Sequence, residues 1–222
     1  MARSKAAQTS GSELFNRARR FYSRGANRKN YRQGFELLKL AAAQGNAKAD
    51  EWLGAVYDYG LGTRPNRRRA FEHYQRAARS GNPNAEYHVG IFLLEGRGTA
   101  KDQRAAVRWL RKAARHGDMV AVHILGQCYR AGRGVTKNAR KGFSLEMKAA
   151  RNKVLEAQYS VGVCYSWGEG VAPDERKAFR WYLIAARRGH KDAAHNLAVY
   201  YENGRGTARN PMTAKFWRAR AR

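Results

Sequence analysis

Disulfide chemistry has almost nothing to work with in this chain, whose 222 residues include two cysteines, Cys128 and Cys164. That number excludes the multi-bridge frameworks of small secreted folds. Long apolar runs are missing as well. The longest uncharged stretch, residues 157–168, contains Tyr, Ser and Gln, whereas a membrane-spanning helix needs about 20 apolar residues. No basic segment leads into an apolar one near the start, so the sequence reads as lacking a secretory signal and as intracellular, that is cytoplasmic. The first 30 residues, rich in Arg, Ser and Ala with Glu13 their one acid, bear only a weak likeness to an organelle transit segment. Acidic residues are scarce: 17 Asp and Glu stand against 44 Lys and Arg, a formal charge of +27. With 43% hydrophobic residues the chain is nonetheless too apolar for a disordered basic tail.

Catalytic signatures are absent too. There is no G-x-x-x-x-G-K-[ST] to cradle phosphates, no H-E-x-x-H to ligate zinc and no G-x-S-x-G to present a nucleophile. The glycine pairs that do occur lack the third glycine of a dinucleotide loop. Cys128 and Cys164 lie 36 residues apart, at a position where a small packed side chain is wanted. His123 and His195 are 72 residues apart, too far to share a metal. The expectation is a protein that is not an enzyme and holds neither cofactor nor metal.

What the chain has instead is a period. Gly-x-Gly recurs at Gly60/Gly62, Gly96/Gly98, Gly132/Gly134, Gly168/Gly170 and Gly204/Gly206, every step being 36 residues. Ala49, Ala85, Ala121, Ala157 and Ala193 keep the same step. So do Leu53, Val89, Leu125, Val161 and Leu197, each followed by Gly or Ala, and Tyr57, Leu93, Tyr129, Tyr165 and Tyr201. A fixed internal period is the signature of a repeat architecture and decides the fold.

Each unit reads as two antiparallel helices. Ala49, Leu53, Gly54 and Tyr57 follow the i, i+4, i+5, i+8 spacing of one helical face. Gly60 ends that helix. Asn66, Asp102, Asn138, Asp174 and Asn210 fall in register as N-caps of the second helix, with Asn46, Asn82 and Asp118 as caps of the first. An earlier unit fits with Asn30, Gly34, Phe35 and Leu38 in the second-helix columns, its Gly-x-Gly degraded to Arg24-Gly25-Ala26. The expected fold is all-α, an α-solenoid of about six 36-residue helix-loop-helix repeats. A basic tail, 1–9, precedes one repeat domain, 10–222, with units 10–45, 46–81, 82–117, 118–153, 154–189 and 190–222. Unit four departs from the pattern, with Gly142 for alanine and Lys153 for glycine, which predicts an altered bend there.

The string A-x-x-x-L-G-x-x-Y-x-x-G-x-G, as in 121–134, followed by a capped helix such as Ala178-Phe179-Arg180-Trp181-Tyr182, resembles the Sel1-like repeats, relatives of the tetratricopeptide repeats. The resemblance implies a superhelix with scaffold or adaptor roles, the first helices lining a concave groove that holds a peptide or domain. Disulfide-rich bacterial relatives carry paired cysteines in each repeat, which this sequence lacks.

On that reading, first-helix positions outside the buried columns face the groove. One row holds Glu51, Tyr87, His123, Tyr159 and His195; another includes Ile91 and Gln127; a third includes Arg130 and Glu202, flanked by Tyr59 and Trp167. Aromatic rings mixed with amide, imidazole and carboxylate suit protein recognition. Charge is segregated: the first helices of units two to six sum to −6, whereas their loops and second helices sum to +25. Arg67, Arg68, Arg69, Arg104, Arg108 and Arg111 belong to that basic side, as do Lys112, Arg140, Lys141, Arg187 and Arg188. A basic outer face can contact phosphate backbones without reading sequence. Trp109, Trp181 and Trp217 are expected to pack inside, which argues against base stacking. Two functions follow: a non-catalytic scaffold with a protein or peptide partner in the groove, or, alternatively, a nucleic-acid-associated protein acting through its convex arginines.

Overall fold

A computed structural model describes residues 9–23 and 27–221. The degraded Arg24-Gly25-Ala26 and nearly all of the basic tail lie outside the described residues. Twelve helices and no strands occur among those described, forming the six expected pairs. The pairs are α1 (Gly11–Arg20) with α2 (Arg28–Ala43), α3 (Ala47–Tyr59) with α4 (Arg67–Arg79), and α5 (Pro83–Glu95) with α6 (Gln103–Arg115). Next come α7 (Met119–Ala131) with α8 (Ala139–Arg151), α9 (Leu155–Trp167) with α10 (Glu175–Arg187), and α11 (Lys191–Asn203) with α12 (Pro211–Arg220). The sequence reads as one repeat domain; the helices gather into two compact units, Met1–Ala113 and Ala114–Arg222. Each is a run of stacked helix pairs.

Caps and close approaches set the repeat. Asn66, Asn138, Asp174 and Asn210 each accept a hydrogen bond from the amide three residues on, and Asp102 does the same for Ala105. The cap's own amide reaches back to the first helix: Asn66 N–H donates to Tyr57 O at 2.7 Å, and Asn138 N–H to Tyr129 O at 2.7 Å. One side chain thus starts the second helix while its backbone closes the loop. The first pair departs from this register. Its second helix is capped by Asn27, not Asn30, whose amide Asn27 instead receives. Three first helices use other caps: Ser10 accepts from Glu13 N–H, His190 Nδ1 accepts from Ala193 N–H, and Val154 provides no side-chain bond.

The two glycines of each Gly-x-Gly do different work. The first, as at Gly60 with φ 73°, ends the helix in the left-handed conformation. The second permits contact with the preceding repeat. A Cβ on Gly98 would stand 2.3 Å from the carbonyl of Arg67. The loop therefore rests on the opening turn of α4, and no side chain fits between.

Packing follows the columns. Leu53, Val89, Val161 and Leu197 are fully buried, as are the alanines at 49, 85, 121, 157 and 193. A second-helix Phe meets the next repeat's Tyr edge-on in Phe35–Tyr57, Phe143–Tyr165 and Phe179–Tyr201, with ring centroids 5.2–5.5 Å apart. Gly54 lies flat against the ring of Tyr74 and Gly162 against that of Tyr182. Trp217 is buried as expected, while Trp109 and Trp181 are only half-buried. Both cysteines are buried free thiols.

Candidate interaction surfaces

The eleven first-helix candidates separate into exposed and packed side chains. Tyr59 and Trp167 are the open ones, 69% and 75% exposed. They close α3 and α9 at the same repeat position, directly before the capping glycine. His195 is exposed as well. Glu51, Tyr87 and Ile91 are half-buried, and burial pushes the Glu51 carboxyl up. Tyr159 stacks on His190 with centroids 4.4 Å apart, and Glu202 is tied to Arg218.

Three candidates differ from their expected placement. His123 is 3% exposed and faces the packing, not a groove. Burial drives its imidazole down to about 4, so it is neutral at physiological pH. Gln127 is bonded to it at 3.2 Å. Arg130 extends inward, its Nη1 donating to Glu146 Oε2 at 3.2 Å and to Cys164 Sγ at 2.9 Å, while Nη2 meets Glu169 at 3.2 Å. The reason is a buried charge: Glu146 is 0% exposed and needs a cation.

Glu146 and Gly142 were not among the sequence candidates, yet they explain unit four. Glu146 occupies the column of Tyr74, Leu110 and Tyr182. A Cβ at position 142 would lie 2.5 Å from Arg130 Cγ, so glycine there lets the arginine stem pass. Desolvation pushes the Glu146 carboxyl up to about 7 in spite of Arg130, and the Cys164 thiol up to about 12. Cys164 is therefore a protonated donor toward Glu146 and no nucleophile. Beside this network, Gln127, Arg130, Ala131, Arg133, Lys137, Ala139 and Glu169 line a pocket of about 370 Å³. Among the described residues no group of three or more His, Cys, Asp or Glu could hold a metal ion.

All eleven second-helix candidates are exposed: Arg67, Arg68, Arg69, Arg104, Arg108, Arg111, Lys112, Arg140, Lys141, Arg187 and Arg188. Several are engaged locally. Arg68 pairs with Glu72, Arg69 and Lys141 lie over Tyr57 and Tyr129, and Lys112 covers Trp109. Arg188 donates to Lys153 O and Gln158 Oε1.

The Sel1 repeat family model matches residues 14–46, 47–82, 83–118, 120–152, 155–190 and 191–221. The chain belongs to the Sel1 repeat family. A Sel1 repeat protein from Oxalobacter formigenes is similar at 30% identity with a TM-score of 0.90, covering 99% of this chain and 88% of that one. A protective antigen of uropathogenic Escherichia coli with an SLR fold is 26% identical with a TM-score of 0.86. The match covers 96% of the present Sel1 repeat protein but spans about half, 46%, of the E. coli chain. An immunity protein of Pseudomonas aeruginosa, at 21% identity and a TM-score of 0.62 over 95% of this chain and 80% of its own, shares the fold. No curated protein matches the sequence. Sel1 repeat proteins serve in general as protein-interaction scaffolds and are generally non-catalytic. No helix among the described residues is long and apolar enough to cross a membrane.

Proposed function

We propose that this Sel1 repeat protein is a non-catalytic scaffold whose first-helix face docks a protein or peptide. The observation that carries the reading is the exposure of Tyr59 and Trp167 at one shared repeat position, one in each compact unit. Large rings left open at a repeated site suit anchor residues, which bury much area for little conformational entropy. Glu169, two residues after Trp167, brings the charged pocket of Gln127, Arg130 and Arg133 close in sequence to one anchor. The reading places the protein inside the cell, where the Cys128 and Cys164 thiols stay reduced.

Affinity capture from nuclease-treated lysate tests it. Tyr59→Ala with Trp167→Ala should remove the captured partner while helicity by circular dichroism is unchanged. Tyr87→Ala with Tyr159→Ala should weaken capture less, because both rings are half-buried. An identical set of captured proteins from wild type and the Tyr59/Trp167 double variant would overturn the proposal.

A further inference from the structure

We infer that the groove between the start of α2 and the loop 60–64 is a binding site for an acidic peptide segment of a partner protein. It lies within the first compact unit, and none of its residues belongs to the first-helix rows. The inference goes beyond the first-helix docking reading and stands without it.

Repeat one builds one wall of this groove by leaving the register of its neighbours. The second helices α4, α8, α10 and α12 begin directly after the caps Asn66, Asn138, Asp174 and Asn210, whereas α2 begins after Asn27, ahead of the equivalent Asn30. It is 16 residues long where α4, α6, α8 and α10 have 13. The added turn carries Arg28 and Lys29, whose equivalents in repeat two, Arg64 and Pro65, lie in the loop before α4. Arg28, Tyr31, Arg32 and Phe35 stand at i, i+3, i+4 and i+7, one face of a helix.

The facing loop differs from its sister loops in the same place. The middle residue of Gly-x-Gly is Leu61 here, but Arg97, Arg133, Glu169 and Arg205 in the other four. Two residues after the second glycine stands Arg64, where the others have Ala100, Thr136, Ala172 and Ala208. An apolar residue has taken the place of a charge, and a cation the place of a small neutral one. Gly62 seats this loop on α2, since a Cβ there would stand 2.5 Å from the Tyr31 carbonyl. The cavity between the walls measures about 1120 Å³. That is at or above the upper end of small-molecule pockets, roughly 300–1,000 Å³, and gives room for a stretch of peptide.

Arg28, Lys29, Arg32 and Arg64 line the cavity and are all exposed. Among the described residues none of the four has a carboxylate partner. Glu36, the one acid in the lining, is held by Lys39 at 2.6 Å. Arg28 and Lys29 stand in the opening turn of α2, where the helix dipole favours acids, so the fold gains nothing from their charge. Four cations without counter-ions around one cavity favour an anionic occupant, and guanidinium groups take carboxylates in pairs of hydrogen bonds. The chain's own residues 1–9 and 24–26 contain no acid, so the complement comes from another molecule.

Tyr31, Phe35 and Leu61 add apolar surface between the charges. The rings are already engaged: Phe35 lies under Lys39 and meets Tyr57 edge-on, and Tyr31 is stacked on Tyr22. A nucleic-acid single strand needs open rings for its bases, and the backbone of a duplex makes no use of apolar walls. A bilayer needs apolar side chains that insert, and no large exposed apolar residue lines the groove. A peptide that alternates acids with apolar side chains uses both kinds of surface.

The test is fluorescence anisotropy of a short labelled peptide alternating glutamate with leucine, titrated with the full chain at about 150 mM salt, where loose surface attraction is largely screened. Wild type should bind it and should not bind the same peptide with glutamine for glutamate. Arg28→Gln/Arg32→Gln/Arg64→Gln should bind at least about tenfold more weakly. Lys48→Gln/Lys101→Gln/Arg108→Gln removes three exposed cations of the same unit away from the groove and should stay within about twofold of wild type. Leu61→Arg/Arg64→Ala copies Arg97 and Ala100 of the next loop at unchanged net charge. It should also lose about tenfold, with a thermal midpoint near that of wild type, because the chain already folds a loop of that composition. Absence of binding to the glutamate peptide, an equal loss in the control variant or full binding by Leu61→Arg/Arg64→Ala would overturn the inference. So would a single-stranded oligonucleotide or tripolyphosphate that displaces the peptide more readily than unlabelled peptide does.

Discussion

Repeats two and four are built on one plan and filled with opposite chemistry. In repeat two, Gly54 receives the ring of Tyr74 and Ala70 stands one turn earlier. In repeat four, Gly126 receives the Cγ of Glu146, and the alanine has become Gly142 to admit Arg130. The inter-repeat ion pair is conserved in position and reversed in sign. Arg97 reaches back 39 residues to Asp58 at 2.9 Å, whereas Arg130 reaches forward 39 residues to Glu169 at 3.2 Å. Glycine columns, caps and loop contacts therefore fix the backbone, while the side chain filling a given space is exchangeable provided its neighbours change with it.

The strongest way to break the comparison is to remove one member of the repeat-four set. Arg130→Met keeps the stem and deletes the charge, leaving Glu146 buried without a cation. The loss should be about 3–5 kcal/mol, measured by urea denaturation well above pH 7, where Glu146 is ionised in the wild type. Tyr74 gives a weaker contrast, since it fills the equivalent space as a buried neutral ring and its removal strands no ion.

The pH dependence should expose two opposed titrations. Glu146 titrates near 7 in the folded chain and near 4.5 without burial, so the folded state keeps a proton that the unfolded state has released. Its contribution to stability therefore falls as pH rises from about 4.5 to 7. His123 is pushed down from 6.5 to about 4, so there the unfolded state holds the extra proton. Its contribution rises with pH over about 4 to 6.5. Each amounts to at most about 3 kcal/mol from end to end, and between pH 4.5 and 6.5 they offset one another. His123→Gln should leave a stability curve that falls with pH, and Glu146→Gln one that rises, both read from urea midpoints at constant ionic strength. Parallel curves for the two variants would refute the assignment.

How much of this was legible depends on distance along the chain. The helix pairs, their caps and the buried alanine and leucine columns repeat at a fixed step, so the sequence displays them directly. Gly142 stood out as a departure, but its cause did not, because Arg130, Gly142 and Glu146 meet only once α7 and α8 pack together. Column position also fixes which face of a helix a residue occupies without fixing its depth. Glu51, His123 and His195 share one column, yet they are half-buried, buried and exposed. The second glycine of each pair was visible from the start, but its role appears only when a neighbouring helix comes within contact distance.

The comparison sharpens if repeat four is given the filling of repeat three. Arg130→Leu/Gly142→Ala/Glu146→Leu copies Leu94, Ala106 and Leu110, whose side chains are all buried. Replacing a buried ion pair by packed apolar groups is neutral or stabilising by about 1–4 kcal/mol. The triple variant should therefore be at least as stable as wild type, although Arg130→Met alone is strongly destabilised. Such non-additivity in a denaturation cycle is the mark of residues acting as one set. An additive result would show that the three merely share a repeat.

The smallest expected effect lies at the end of the same repeat. Lys153 has φ 64°, the one non-glycine residue in the left-handed region among those described, where Gly45, Gly81, Gly117 and Gly189 hold the equivalent position. A Cβ at any of those glycines would meet nothing within 4 Å, so the penalty at Lys153 comes from its own backbone and not from crowding. An L residue in that conformation costs about 1–2 kcal/mol, partly returned through the greater freedom of an unfolded glycine. Lys153→Gly should therefore stabilise the protein by about 1 kcal/mol, seen as a higher thermal midpoint. Arg188 reaches the Lys153 carbonyl at 2.7 Å, a backbone contact that glycine retains. A fall in stability would mean that the lysine side chain holds the turn, and that repeat four departs from its neighbours for a reason other than its buried charges.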